Sequence, residues 1–346
     1  MKILYQFLII SLITIIFIEI IGGFIFIRNS TNYEHRYLNI SSDNYRIIDG
    51  VFWTYKPSSK IRKTAIYSFG KLSTWLEYDC LFTTTKEGFP STGELSQKAS
   101  FNYLFLGASF IEGEGGCPWD AESLGYSDLT FYNGGLRGTG VANQEMVYDF
   151  LSKQRLSFDN VIMFAIADEF FRTPSSNWYF DHLECFEKQL CKYKDPEWIS
   201  DSKDYQDLYK ETIYRSSNRS PMLSVIFDYF AFKSSTANLI RRFARILFSD
   251  PISPDKDTMI MNIEAVSRML TKHQNIKLVI ISQRDEVGFL GVRHLQLEMV
   301  ESELNHRKIS WSYCLLEPKH FMLIDGHPNR AGQKRIADCA LKNETF

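Results

Sequence analysis

Residues 103–116 read Tyr-Leu-Phe-Leu-Gly-Ala-Ser-Phe-Ile-Glu-Gly-Glu-Gly-Gly. A short continuous apolar run that stops at Gly107 is the pattern of a strand buried on both faces, Tyr103 to Ala108, and the glycine-rich tail that follows predicts a tight turn beyond it. Four more runs of this kind lie downstream, at Leu129 to Asn133, Val161 to Ala167, Ile276 to Ser282 and Ile309 to Cys314. Amphipathic stretches separate them, at Val141 to Lys153, Met259 to His273, Arg293 to Arg307 and Asn329 to Leu341. Strands alternating with helices predict an α/β fold, a three-layer domain on a five-stranded parallel sheet covering residues 101–346.

Working outward, residues 172–258 interrupt the alternation. The stretch is too long for a simple crossover and rich in Tyr, Phe, Trp, Lys and Asp, so it is expected to be an insertion folded against one end of the sheet. Its basic amphipathic piece, Arg241 to Phe248, is expected to be an ordinary packing helix. Residues 28–100 form a polar and aromatic neck with strand-like pieces in Lys63 to Gly70 and Thr74 to Thr85, closed by the turn-rich Lys86 to Glu94. Residues 3–27 are almost wholly apolar. As a helix they span roughly 37 Å at about 1.5 Å per residue. That is enough to cross a hydrocarbon core of about 30 Å. With no small-residue cleavage site, residues 1–27 are expected to be an uncleaved transmembrane signal anchor, with Glu19 as its one costly residue.

Lys and Arg number 39 against 41 Asp and Glu, a net charge of -2, which argues against a nucleic-acid partner held by bulk positive charge. Apolar residues at 45% exclude a wholly disordered chain, and the slightly negative mean hydropathy excludes a polytopic membrane protein. The six cysteines, Cys80, Cys117, Cys185, Cys191, Cys314 and Cys339, fit no zinc pattern; in an exported chain they permit disulfides, and buried thiols are the equal alternative. Their number leans the domain towards the periplasmic or extracytoplasmic side, which the flanking charges do not decide. His273, His294, His306, His320 and His327 are scattered without a ligand pair at helical spacing, so neither metal nor cofactor is expected.

Four groups of chemically capable residues fall at the ends of the expected strands, where open α/β sheets place their sites. Ser109 follows the first strand, with its hydroxyl on a strand-to-helix turn. The glycine-rich Asn133 to Gly140 follows the second, bringing backbone N–H groups close to any ligand. Asp168-Glu169 closes the third. Asp325-Gly326-His327-Pro328-Asn329 pairs a general base with a nearby carboxylate just before a helix that Pro328 begins. The serine lacks the second glycine of a nucleophile elbow, since Ile111 stands there. The glycines also miss dinucleotide-loop spacing.

In this order the four groups resemble the blocks of the SGNH (GDSL-like) hydrolase family. They do so over residues 101–171 and 259–346. The family's fold is similar to flavodoxin's, as the strand reading expects. The resemblance implies a nucleophile at Ser109, a base at His327 oriented by Asp325, and an oxyanion site from the N–H groups of Ser109 and Gly138. Two residues depart from the pattern. Ala108 replaces a structural Asp. Asp168 stands where the family has an Asn that donates to the oxyanion, and a carboxylate cannot donate. Compensation is expected from protonation of Asp168, from a substrate hydroxyl bound by it, or from Arg137 or Arg172. The implied activity is that of a membrane-anchored serine esterase acting on acyl esters, with O-acetyl groups of a surface glycan as one form of substrate. Transfer of the acyl group to a sugar by the same serine, and a degenerate glycan-binding or scaffold protein of the cell envelope, are the alternative readings.

Overall fold

The computed structural model describes residues 45–48, 52–69, 73–91, 100–119, 124–173, 255–283, 294–322 and 326–342, with isolated positions between 6 and 17. The expected insertion, apart from its first two and last four residues, lies outside these, as do most of the expected anchor and Asp325. The chain falls into two compact units. One comprises Met1–Leu38, Ile66–Leu76 and Ile199–Ser253, of which the described part is mainly strand backbone. The other comprises Asn39–Ala65, Glu77–Trp198 and Pro254–Phe346 and holds the candidate site. Among the described residues, no helix is long and apolar enough to cross a membrane.

The fold is α/β. Strands β6 (Ser100–Gly107), β7 (Phe131–Gly135), β8 (Ser157–Ala165), β9 (Ile276–Ile281) and β10 (Trp311–Cys314) form one five-stranded sheet in the spatial order β10-β9-β8-β6-β7. Every neighbouring pair is parallel. Counted within this sheet, the order is 2-1-3-4-5, that of flavodoxin-like doubly wound sheets, with β6 and β8 flanking the point where the winding reverses.

Side-chain alternation along the strands explains the layers. On β8, Val161, Met163 and Ala165 join a core with residues of α2 (Val141–Lys153), α3 (Lys256–Lys272) and α4 (His294–His306). Ile162 and Phe164 point the other way, into a second core with α1 (Ser109–Glu112) and α5 (Arg330–Leu341). Both faces are covered, which is why these strands read as uninterrupted apolar runs.

The neck contributes β1 (Tyr45–Ile48) paired antiparallel to β2 (Phe52–Tyr55), and a second sheet of β3 (Lys60–Phe69), β4 (Ser73–Thr84) and β5 (Pro90–Ser91). Its Tyr55, Ile61, Phe82 and Phe89 belong to the same buried core as Phe101 and Tyr132 of the main sheet. Tyr132 is wired to the neck by its hydroxyl, which donates to Glu87 (2.9 Å) and meets Thr85 Oγ1 at 2.7 Å. Burial, with the Glu87 charge beside it, raises the Tyr132 phenol well above its usual range. The described cysteines pair as Cys80–Cys117, joining β4 to the loop after α1, and Cys314–Cys339, joining β10 to α5. Cys185 and Cys191 lie outside the described residues.

Candidate active site

The carboxyl end of β6 runs straight into α1, a single helical turn that begins at Ser109. Three contacts pin this turn. Trp119 Nε1 donates to Phe110 O (3.0 Å), Asn133 Nδ2 donates to Ile111 O (2.8 Å), and Leu136 N donates to Gly107 O (3.0 Å). Asn133 also accepts the Gly135 N–H through its side-chain oxygen (2.8 Å). In this molecule, therefore, the asparagine of the glycine-rich loop ties β7 to the serine turn.

His327 arrives from the other end of the chain. Residues 320–322 and 327–329 pair as a short hairpin, with Met322 N donating to His327 O and Asn329 N to His320 O, both at 2.9 Å. Asn329 then caps α5 by accepting the Gly332 N–H (3.0 Å), so the helix starts after Pro328 rather than at it. The result brings His327 Nε2 to 2.8 Å from Ser109 Oγ. The Phe110 ring packs edge-on against the imidazole at 5.6 Å. Asp325 falls outside the described residues.

The other candidates sit on neighbouring loops. Gly138 has φ of +72°, a left-handed backbone that favours glycine, in the turn after β7. Among the described residues, the N–H groups of Ser109 and Gly138 have no protein acceptor, whereas the loop's other contacts are committed: Arg137 N to Glu112 Oε2 (2.6 Å), Thr139 Oγ1 to Leu136 O (2.6 Å), Gly140 N to Asn143 Oδ1 (3.0 Å). Asp168 occupies a 3₁₀ turn, Ala167–Phe171, at the end of β8, the strand beside β6. Its partner is Arg172, Nη2 to Oδ2 at 2.7 Å, with both side chains about a third exposed, at 29% and 31%. This contact ties Arg172 to the carboxylate of Asp168. The same guanidinium reaches Thr139 O at 3.4 Å, linking the β8 turn to the Gly138 loop.

Several residues here carried no motif in the sequence. Glu114, buried, has Oε2 3.3 Å from His327 Nε2 and Oε1 3.5 Å from the Tyr78 hydroxyl of β4. Glu112, fully buried, takes the Lys63 ammonium and the Tyr55 hydroxyl on Oε1. Asn262 of α3 accepts from Ala142 N (2.7 Å) and donates to Phe170 O (2.8 Å) and Arg172 O (3.0 Å), fixing the β8 turn against α2. Glu169, next to Asp168, is buried, and its Oε2 lacks a hydrogen-bond partner among the described residues. Burial pushes its carboxyl up to about 8, against a smaller opposing pull from Arg172. Glutamates inside a glycine-rich stretch read as solvent-exposed turn residues. The one available cue was their position straight after a buried strand. Among the described residues, no group of three His, Cys, Asp or Glu side chains is placed to hold a metal ion.

Comparison with known proteins adds little. No family model matches the chain, and no curated protein matches it. A solved structure described as "a putative platelet activating factor from Streptococcus pneumonia" is similar at 11% identity over 72% of this chain and 86% of that one, with a TM-score of 0.35. A likeness that distant carries no argument about chemistry.

Proposed function

We propose that this chain is a membrane-anchored serine esterase of the SGNH type, acting on acyl esters, with O-acetylated glycan at the outer face of a membrane as the substrate class. The observation that carries the reading is the 2.8 Å contact between Ser109 Oγ and His327 Nε2. It joins a serine on a strand-to-helix turn with a histidine from near the C-terminus, beyond the carboxyl ends of a parallel sheet.

In this mechanism His327 Nε2 takes the Ser109 proton as Oγ attacks the ester carbonyl. The resulting oxyanion is met by the N–H groups of Ser109 and Gly138. Losing one such donor costs roughly 3–4 kcal/mol of barrier. The imidazolium is stabilised by Glu114 on the Nε2 side and is oriented by Asp325. It returns the proton to the leaving alkoxide, which leaves an acyl-enzyme for water to cleave. The 3–27 anchor holds this site near the membrane, which favours membrane-borne or newly exported substrates.

A second reading, acyl transfer to a sugar hydroxyl, is favoured by Asp168. A carboxylate on the turn after β8 accepts a hydrogen bond from a hydroxyl, and it cannot serve as an oxyanion donor. Water and sugar compete for the same acyl-enzyme in either case.

The test is fluorophosphonate labelling of the full chain in detergent. Wild type is expected to label once, on Ser109, and Ser109→Ala is expected to stay unlabelled. A folded wild type that fails to label, or labels equally after Ser109→Ala, overturns the esterase reading.

A further inference from the structure

The neck meets the serine turn at two places. On one side, Lys63 of β3 and Tyr55 of β2 both place their polar ends on Glu112 Oε1. Glu112 is the last residue of the turn that Ser109 begins, and its side chain is fully buried, as is that of Lys63, at 0% and 4% exposure. The Lys63 ammonium also lies over the rings of Tyr55 and Phe82, at 5.5 and 5.8 Å. On the other side, the Cys80–Cys117 disulfide fastens β4 to the loop that follows the turn. In that loop Gly115, at φ +93°, lies so close to His327 that a β-carbon there would come within 3.0 Å of the histidine's own.

Glu112 also has a second oxygen. Its Oε2 accepts the N–H of Arg137 at 2.6 Å. Arg137 directly precedes Gly138, so this bond fixes the peptide just before the oxyanion donor. Two buried oxygens of one carboxylate therefore bridge the neck to the loop across the site. A carboxylate so placed has a defined geometry only while its counter-charge is present, because a buried ion without a partner is expelled or protonated.

We propose that Glu112 is a positioning residue for the oxyanion loop, and that the neck, through Lys63 and Tyr55, is what holds it in place. The neck is thus a working part of the site rather than a spacer between anchor and catalytic domain. In its catalytic consequence the proposal rests on the esterase reading; in its structural consequence it stands alone, and the two are tested separately.

The experiment uses the full chain as wild type, as Tyr55→Phe, and as the double variant Lys63→Met with Glu112→Gln. The double change removes both charges together and leaves no stranded ion to unfold the protein. Hydrogen–deuterium exchange is followed over peptides covering residues 136–140 and over β6 and β8, alongside hydrolysis of p-nitrophenyl acetate. In the double variant the 136–140 amides are expected to exchange about tenfold faster or more, with β6 and β8 at wild-type rates. Turnover is expected to fall about tenfold in kcat with KM within about twofold, the split of a group felt in the transition state. Tyr55→Phe should lie between wild type and the double variant. Unchanged exchange at 136–140 overturns the proposal. Faster exchange throughout the sheet also overturns it, since that is general loosening. A loosened loop with unchanged kcat overturns the catalytic half. If wild type hydrolyses nothing, the esterase reading fails and the exchange result alone decides whether the neck holds the loop.

Discussion

The turns that follow β6 and β8 leave neighbouring strands at the same end of the sheet, and each buries a glutamate, but they do so by opposite means. Glu112 is buried beside a cation: Lys63 and Tyr55 occupy one oxygen and the Arg137 N–H the other. Glu169 is buried with one oxygen unpartnered among the described residues and its carboxyl pushed up to about 8, which favours its neutral form near neutrality. A carboxyl group can be taken out of water either by pairing or by neutralising it, since the desolvation of a lone carboxylate costs too much for a fold of ordinary stability. The first device couples distant parts of the chain. The second acts among its near neighbours Ile166, Asp168 and Arg172 and responds to pH. The serine turn uses the first, and the turn carrying Asp168 uses the second.

The largest expected effect breaks the pairing on the serine side alone. Lys63→Met takes the ammonium from Glu112, whose remaining hydrogen-bond partners among the described residues are the Tyr55 hydroxyl and the Arg137 N–H. Removing one partner of a buried pair typically destabilises by about 3–5 kcal/mol. Urea unfolding should show that loss for Lys63→Met and much less for the double variant with Glu112→Gln. Equal losses in the two would mean that Lys63 matters for packing and not for charge. Burial pushes the Lys63 ammonium down, with the Arg137 charge adding to that, while Glu112 and then Glu114 pull it back up, so Glu112 is the largest of the opposing influences.

Next in size is the pH response of Glu169. Its folded value, about 8, lies above the unfolded value of about 4.5. The folded state thus binds the extra proton, and stability falls as pH rises from about 4.5 to about 8, then levels. Glu169→Gln, which is neutral throughout, should unfold at a higher temperature than wild type by a margin that grows across this window, on the order of 3 kcal/mol between pH 5 and pH 8. A margin that is flat with pH would mean that Glu169 is ionised in the folded protein.

How far these features were legible depends on how local their signals are. The five strands and the helix Val141–Lys153 follow from uninterrupted apolar runs and helical periodicity, which burial on both sheet faces imposes directly on the sequence. The ends drift where turns decide them. β7 runs from Phe131 to Gly135, two residues later than its apolar run suggests, because the Asn133 side chain holds the following glycines in ladder geometry against α1. Ser109 and His327 were legible because each stands just past a recognisable element. Glu112, Glu114, Lys63 and Tyr55 were not, because their meaning lies in contacts between residues 36–57 positions apart, which no local pattern encodes. Nor was the pairing of Cys80 with Cys117 legible from spacing, since several connectivities were open.

The smallest expected effect sharpens the β8 side. The Asp168–Arg172 pair is partly exposed, so it contributes at most about 1 kcal/mol to stability. Its chemical consequence is the more informative one. Asp168→Asn keeps the shape and supplies an N–H in place of a carboxylate, which under the proposed mechanism adds an oxyanion donor. Because Arg172 holds the residue through Oδ2, the gain should be modest: p-nitrophenyl acetate hydrolysis rising about two- to tenfold, with melting temperature unchanged within about 2 °C. A collapse of turnover instead would show that the carboxylate itself is needed. Since a carboxylate can only accept hydrogen bonds, that result would favour the acceptor hydroxyl of a sugar, and hence acyl transfer over hydrolysis. Under the proposed mechanism the contrast between the two turns would then have a chemical sense, with the loop held by Glu112 serving the oxyanion and the partly exposed Asp168 serving the acceptor.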